Sequence, residues 1–114
     1  MSMNPHAMLV ADIGGTRARF ALLDESGSPG LVRVLAVDDF AGPVEAVQAY
    51  LAEVGGPDLQ AAAIALAAPV HAEVVRLTNG AWTFRRAEIQ SRLGLTRLLL
   101  LNDFAALALS LSRS

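Results

Sequence analysis

Two places in the sequence set a carboxylate directly after a run of apolar residues: Val10-Ala11-Asp12, leading into Ile13-Gly14-Gly15-Thr16, and Leu100-Leu101-Asn102-Asp103, leading into Phe104. In open α/β sheets the ligand crevice lies beyond the carboxyl ends of the strands, and both aspartates would project there if the two runs are parallel strands. The chemistry expected at the two places differs. A Gly14-Gly15 turn can take positive φ and bring backbone close to a ligand, with N–H groups directed at phosphate oxygens and the Thr16 hydroxyl beside them. An aspartate at such a turn, here Asp12, can hold Mg²⁺ directly or through water. Asn102 and Asp103 suit a pair that binds a hydroxyl and takes its proton. Each place also has a purely structural reading: a hairpin turn with a capping aspartate at 12–16, and a helix N-cap at Asn102 or Asp103.

What the sequence lacks narrows the chemistry further. All nine basic residues are arginine, so there is no lysine for a P-loop or a Schiff base. The two histidines, His6 and His71, do not form a metal-ligand pattern. With no cysteine there is neither a disulfide nor a thiolate, which fits the cytoplasm. Nine basic against eleven acidic residues and 5% aromatics give no footprint for nucleic acid. The longest apolar run, 61–70, is half a bilayer crossing and contains Pro69, so no membrane span is expected.

Elements must then position these groups. Residues 8–11 read as a central strand, 17–23 as a second with Ala18, Phe20 and Leu22 on one face, and 31–37 as a third, making an antiparallel meander. Val44, Val47, Leu51 and Val54 recur at helical spacing between Pro43 and Gly55, predicting a helix over 43–54. Residues 61–68 read as a buried strand despite their alanines, 73–78 as a short strand, 85–93 as a helix closed by Gly94, and 97–101 as a leucine-rich strand. Phe104, Leu107, Ala108 and Leu111 mark a final helix. The fold class is α/β, a mixed sheet in β-β-β-α-β-α-β-α order with helices on its faces. At 54% apolar and 18% charged residues, the chain exceeds the apolar share of ordinary domains, about 45–50%, which suggests surface that a second domain or partner chain covers.

Several segments in order carry a family resemblance: Asp12-Ile13-Gly14-Gly15-Thr16, Arg19-Phe20-Ala21-Leu22, Ala63-Ile64-Ala65, Pro69-Val70, Leu77-Thr78-Asn79, Trp82, Phe84, Leu93-Gly94-Leu95 and Leu101-Asn102-Asp103-Phe104. Together they resemble the amino-terminal part of bacterial glucokinases, and the match spans nearly the whole chain. The Asp-x-Gly-Gly-Thr stretch recurs across the hexokinase and actin superfamily, whereas the Leu-Thr-Asn…Trp-x-Phe segment followed by Asn-Asp-Phe is specific to the glucokinase branch.

The resemblance implies an actin-like ATPase (ribonuclease H-like) fold of two lobes, with residues 1–114 as the smaller, amino-terminal one. It implies that Ala11, Asp12, Ile13, Gly14, Gly15 and Thr16 cradle the phosphates of ATP, with Mg²⁺ near Asp12. Asn102 and Asp103 would bind the sugar, Asp103 as catalytic base, and Thr78 and Asn79 would lie near it. Trp82 and Phe84 read as core or lobe-packing residues. The expected activity is transfer of the ATP γ-phosphoryl group to glucose in the intact protein, with the 114 residues alone inactive. Glucose, ATP and a second lobe or another subunit, a homodimer included, are the expected partners. Two alternatives stand beside it: an inactive truncated lobe that serves as a binding module, or another hexose kinase of the superfamily. The family usually has asparagine where this chain has Arg17, which affects any amide contact made there but not the turn.

Overall fold

The computed structural model describes residues 7–24, 26–56, 58–66, 73–77 and 82–102. Its elements are β1 (Ala7–Ile13), β2 (Arg17–Leu23), β3 (Pro29–Ala36), a 3₁₀ turn (Val37–Asp39), α1 (Pro43–Val54), β4 (Leu59–Leu66), β5 (Val74–Arg76), β6 (Thr83–Arg85), α2 (Arg86–Leu93) and β7 (Arg97–Leu101). Five strands form one sheet in the order β3-β2-β1-β4-β7, while β5 and β6 pair as a separate antiparallel hairpin. The β1-β2-β3 meander is antiparallel throughout. β1 and β4 pair in parallel, as do β4 and β7, so β1, β4 and β7 all end at the same edge of the sheet.

One face of the sheet carries the main core. Leu9, Ala11 and Ile13 of β1, Ala18 and Phe20 of β2 and Ile64 of β4 pack with Val44, Val47 and Tyr50 of α1, Ile89 of α2 and Val75 and Phe84 of the hairpin. Phe20 and Tyr50 stack with ring centroids 5.4 Å apart. Val10, Ala21, Ala63 and Ala65 form a second cluster on the opposite face. β4 is therefore apolar on both sides, and its alanines form a strand because β1 and β7 complete its hydrogen-bond ladder on either side, a context that outweighs their helical propensity. Both helices stop as their sequences dictate: Gly55 and Gly94 take left-handed φ of 69° and 65°, and after Gly94 the chain enters the core at Leu95.

The structure shifts several boundaries and extends the element order: β1 begins at Ala7, β3 ends at Ala36 because Val37 enters the 3₁₀ turn, and β5 covers only Val74–Arg76 of the expected 73–78. β1 runs through Ile13 rather than stopping at Ala11, because Asp12 and Ile13 find ladder partners in Arg19 and Ala18. β3 starts at Pro29, two residues early, across an irregularity at Leu31, which sits at φ 54° beside a register shift in the ladder with β2. β4 starts at Leu59. Arg85 closes β6 and caps α2 instead of opening the helix. The β5–β6 hairpin places two strands between β4 and α2 that the expected order lacked, of which β5 falls within the 73–78 segment read as a short strand. Trp82 and Phe84 are core residues, 2% and 6% exposed. The expected helix beyond residue 103 lies outside the described residues.

Candidate functional site

Parallel pairing of β1, β4 and β7 meets the condition that the sequence left open. Asp12, Ala65 and Leu101 are register partners in one row across three strands, so the β1–β2 turn and Asn102 occupy the same sheet edge. At about 4.8 Å per strand step, the backbones at Asp12 and Leu101 lie about 10 Å apart. That gap, floored by the buried alanine Ala65, suits a ligand held between two strand ends.

The turn is built tightly. The Gly14 N–H donates to the Arg17 carbonyl at 2.9 Å, and the N–H of Val37 donates to the Thr16 carbonyl at 2.9 Å, which ties the end of β3 to the same edge. Ala11 and Ile13 are buried in the core, and Asp12, which alternates with them, is half-buried on the opposite face. Gly15 and Thr16 are exposed at the tip, and Asn102 is exposed just past β7. Among the described residues the glycines with left-handed φ are Gly27, Gly55 and Gly94, so the turn does not use the positive φ expected of Gly14-Gly15. The three residues between β1 and β2 are closed instead by the bond from the Gly14 N–H to the Arg17 carbonyl. A Cβ on Gly14 would meet nothing nearer than the Arg17 carbonyl, at an ordinary 3.5 Å.

Of the residues singled out in the sequence, Ala11, Asp12, Ile13, Gly14, Gly15, Thr16 and Asn102 come together at this edge. Asp103, Thr78 and Asn79 lie outside the described residues. No group of three or more His, Cys, Asp or Glu gathers among the described residues.

Two further residues, both arginines of β2, belong to this edge. Arg19 is the direct cross-strand partner of Asp12, and Arg17 lies two residues earlier on the same face of β2. The signal was the alternation that sends Ala18, Phe20 and Leu22 inward: it necessarily sends Arg17 and Arg19 to the face of Asp12.

A family model described as glucokinase matches residues 9–114. The chain is 52% identical over 107 residues to a glucokinase of Aromatoleum aromaticum, covering 92% of this chain and 32% of that relative. It is 46% identical over 104 residues to a glucokinase of Paramagnetospirillum magneticum, covering 90% and 32%. Among solved structures, a glucokinase from an Antarctic psychrotroph superposes with a TM-score of 0.79 at 35% identity, covering 92% of this chain and 34% of that one. A ROK family glucokinase from Streptomyces griseus, in complex with glucose and AMPPNP, gives a TM-score of 0.63 at 25% identity over 84% and 33%. The chain spans about a third of the length of these relatives.

Proposed function

Because the chain belongs to the glucokinase family, we propose that the protein carrying it transfers the γ-phosphoryl group of ATP to the 6-hydroxyl of glucose. The observation that carries this reading is the shared carboxyl edge of β1, β4 and β7, which puts a glycine turn and Asn102 two strand steps apart. The Streptomyces griseus relative, solved with glucose and AMPPNP, supports the two ligand classes.

In this reading the turn at Gly14, Gly15 and Thr16 lies along the phosphates, and Asp12 faces the metal–nucleotide complex through water. Mg²⁺, when bound with the nucleotide, neutralises charge on the transferring phosphoryl group. Asn102 and Asp103 hold the sugar, with Thr78 and Asn79 beside it. As the bond from O6 to the γ-phosphorus forms, the bond from that phosphorus to the bridging oxygen of ADP breaks, and the hydroxyl proton passes to the Asp103 carboxylate. Protein chemistry beyond positioning and charge is slight. No described helix is long and apolar enough to cross a membrane, and the reading places the enzyme in the cytoplasm with its small substrates.

The test is the intact protein. It should form ADP and glucose 6-phosphate only when ATP and glucose are both present, and failure to do so would remove the kinase reading. Asp103→Asn keeps the size and hydrogen-bonding capacity of a helix cap but cannot take a proton. It should lower kcat by roughly 10²-fold or more with an unchanged melting temperature. A near-normal kcat would return Asp103 to the role of a cap.

A further inference from the structure

The cationic groups at the carboxyl edge are side chains of β2. The N–H of Gly14 is already taken by the hairpin, through its bond to the Arg17 carbonyl. Arg17 and Arg19 are both exposed, and their Cα atoms, two residues apart along one face of a strand, are separated by about 7 Å. Among the described residues neither guanidinium takes part in an ion pair or a side-chain hydrogen bond, although Asp12 faces Arg19 across the ladder and Asp38 and Asp39 follow the end of β3. Other arginines of the chain are held: Arg33 by Glu53 at 3.0 Å, and Arg92 by Glu45 at 3.1 Å and Glu88 at 3.2 Å.

A guanidinium presents a planar fork of donors that matches two phosphate oxygens at once, and its cost of desolvation is lower than that of an ammonium. Two such forks side by side, at the rim of a turn whose glycine leaves room for close approach, suit a chain of phosphates better than a single one. We propose that Arg17 is a phosphate-binding residue which, with Arg19 next to it, grips the polyphosphate chain of the phosphoryl donor along the Gly14-Gly15-Thr16 turn. This rests on the reading of the edge as the donor site and extends it.

The test uses the intact protein at fixed ionic strength, with inorganic tripolyphosphate as the probe in calorimetric titrations and MgATP and glucose varied in turnover assays. Arg17→Ala should weaken tripolyphosphate binding about tenfold or more, as expected for loss of charge-assisted hydrogen bonds. The KM for MgATP should rise by a similar factor, with the KM for glucose and the melting temperature unchanged. Arg17→Asn, which keeps a polar side chain but removes the charge, should lose the tripolyphosphate affinity in the same way. Arg97→Ala is the charge control: Arg97 opens β7 on the same face but at the opposite edge of the sheet, and its removal should leave tripolyphosphate binding intact. Wild-type affinity for tripolyphosphate in Arg17→Ala, an equal loss in Arg97→Ala, or no binding by the wild type would each overturn the proposal. A wild-type protein that binds tripolyphosphate through Arg17 yet phosphorylates no hexose would uphold it and overturn the kinase reading instead.

Discussion

At Gly14 the demands of the fold and of the proposed ligand can be told apart. Its backbone is not left-handed, and a Cβ there would make an ordinary contact with the Arg17 carbonyl at 3.5 Å. Alanine also restricts the unfolded chain, so Gly14→Ala should leave stability unchanged or raise it by up to about 1 kcal/mol. If the turn approaches phosphate closely, the same methyl stands between backbone and ligand. The expected outcome is a KM for MgATP raised about tenfold or more, by analogy with losing one charge-assisted contact, beside an unaltered melting temperature and glucose KM. Equal weakening of both substrates together with unfolding would mark the turn as structural. That the glycine turn and Asn102 follow strand ends was legible in the sequence, because a glycine pair and polar residues closing apolar runs are rare enough to stand out. Arg17 and Arg19 were less so, since two arginines in a strand say little until the register puts one of them opposite Asp12.

At the scale of elements, α1 is fastened to the meander by Tyr50. Its side chain is fully buried, it stacks on Phe20, and its hydroxyl donates to the Leu31 carbonyl at 2.8 Å, at the point where β3 bulges. Tyr50→Phe keeps the ring and removes the donor, so it should cost about 1 kcal/mol, the usual net worth of a buried hydrogen bond. Burial pushes the Tyr50 hydroxyl above its ordinary value of 10.0. A neutral form favoured in the folded state contributes stability that is fully present below the pKa of the unfolded chain and is lost as pH rises through the higher folded one. Wild-type melting temperature should therefore fall from about pH 10 upward, and the decline should be shallower in Tyr50→Phe; identical profiles would show that Tyr50 does not govern the alkaline limb. The meander, both helices and their glycine stops were readable because periodicity and caps are local signals. Leu31 at φ 54° and the strand Thr83–Arg85 were not, because a bulge and a three-residue strand depend on a partner distant in sequence.

At the scale of the molecule, the proposed reading makes the edge described here one wall of a site whose chemistry needs two. Phosphoryl transfer depends on holding donor and acceptor in line and keeping water out, whereas the edge described here offers one turn, two arginines and Asn102, and the chain spans about a third of the relatives it matches. A polypeptide of these 114 residues alone should give no glucose-dependent ADP release above a blank in a coupled assay, and turnover by it would overturn that account. Its surface gives the second expectation. Leu31, Val32 and Val34 of the edge strand β3 are 50%, 49% and 51% exposed, and Leu99 of β7, at the other edge, is 43% exposed. Apolar edge strands recruit other strands unless charge or irregularity blunts them, and the bulge at Leu31 blunts only the start of β3. The isolated polypeptide should therefore associate as its concentration rises in sedimentation velocity runs. Val34→Lys tests which surface is responsible. Val34 projects away from the main core and lies beside Arg19 in the ladder, so a lysine there costs little packing while adding charge to the edge. If association runs through β3, Val34→Lys should shift the polypeptide toward monomer with the melting temperature changed by no more than a few degrees; association undiminished in this variant would assign the contact to β7 and Leu99.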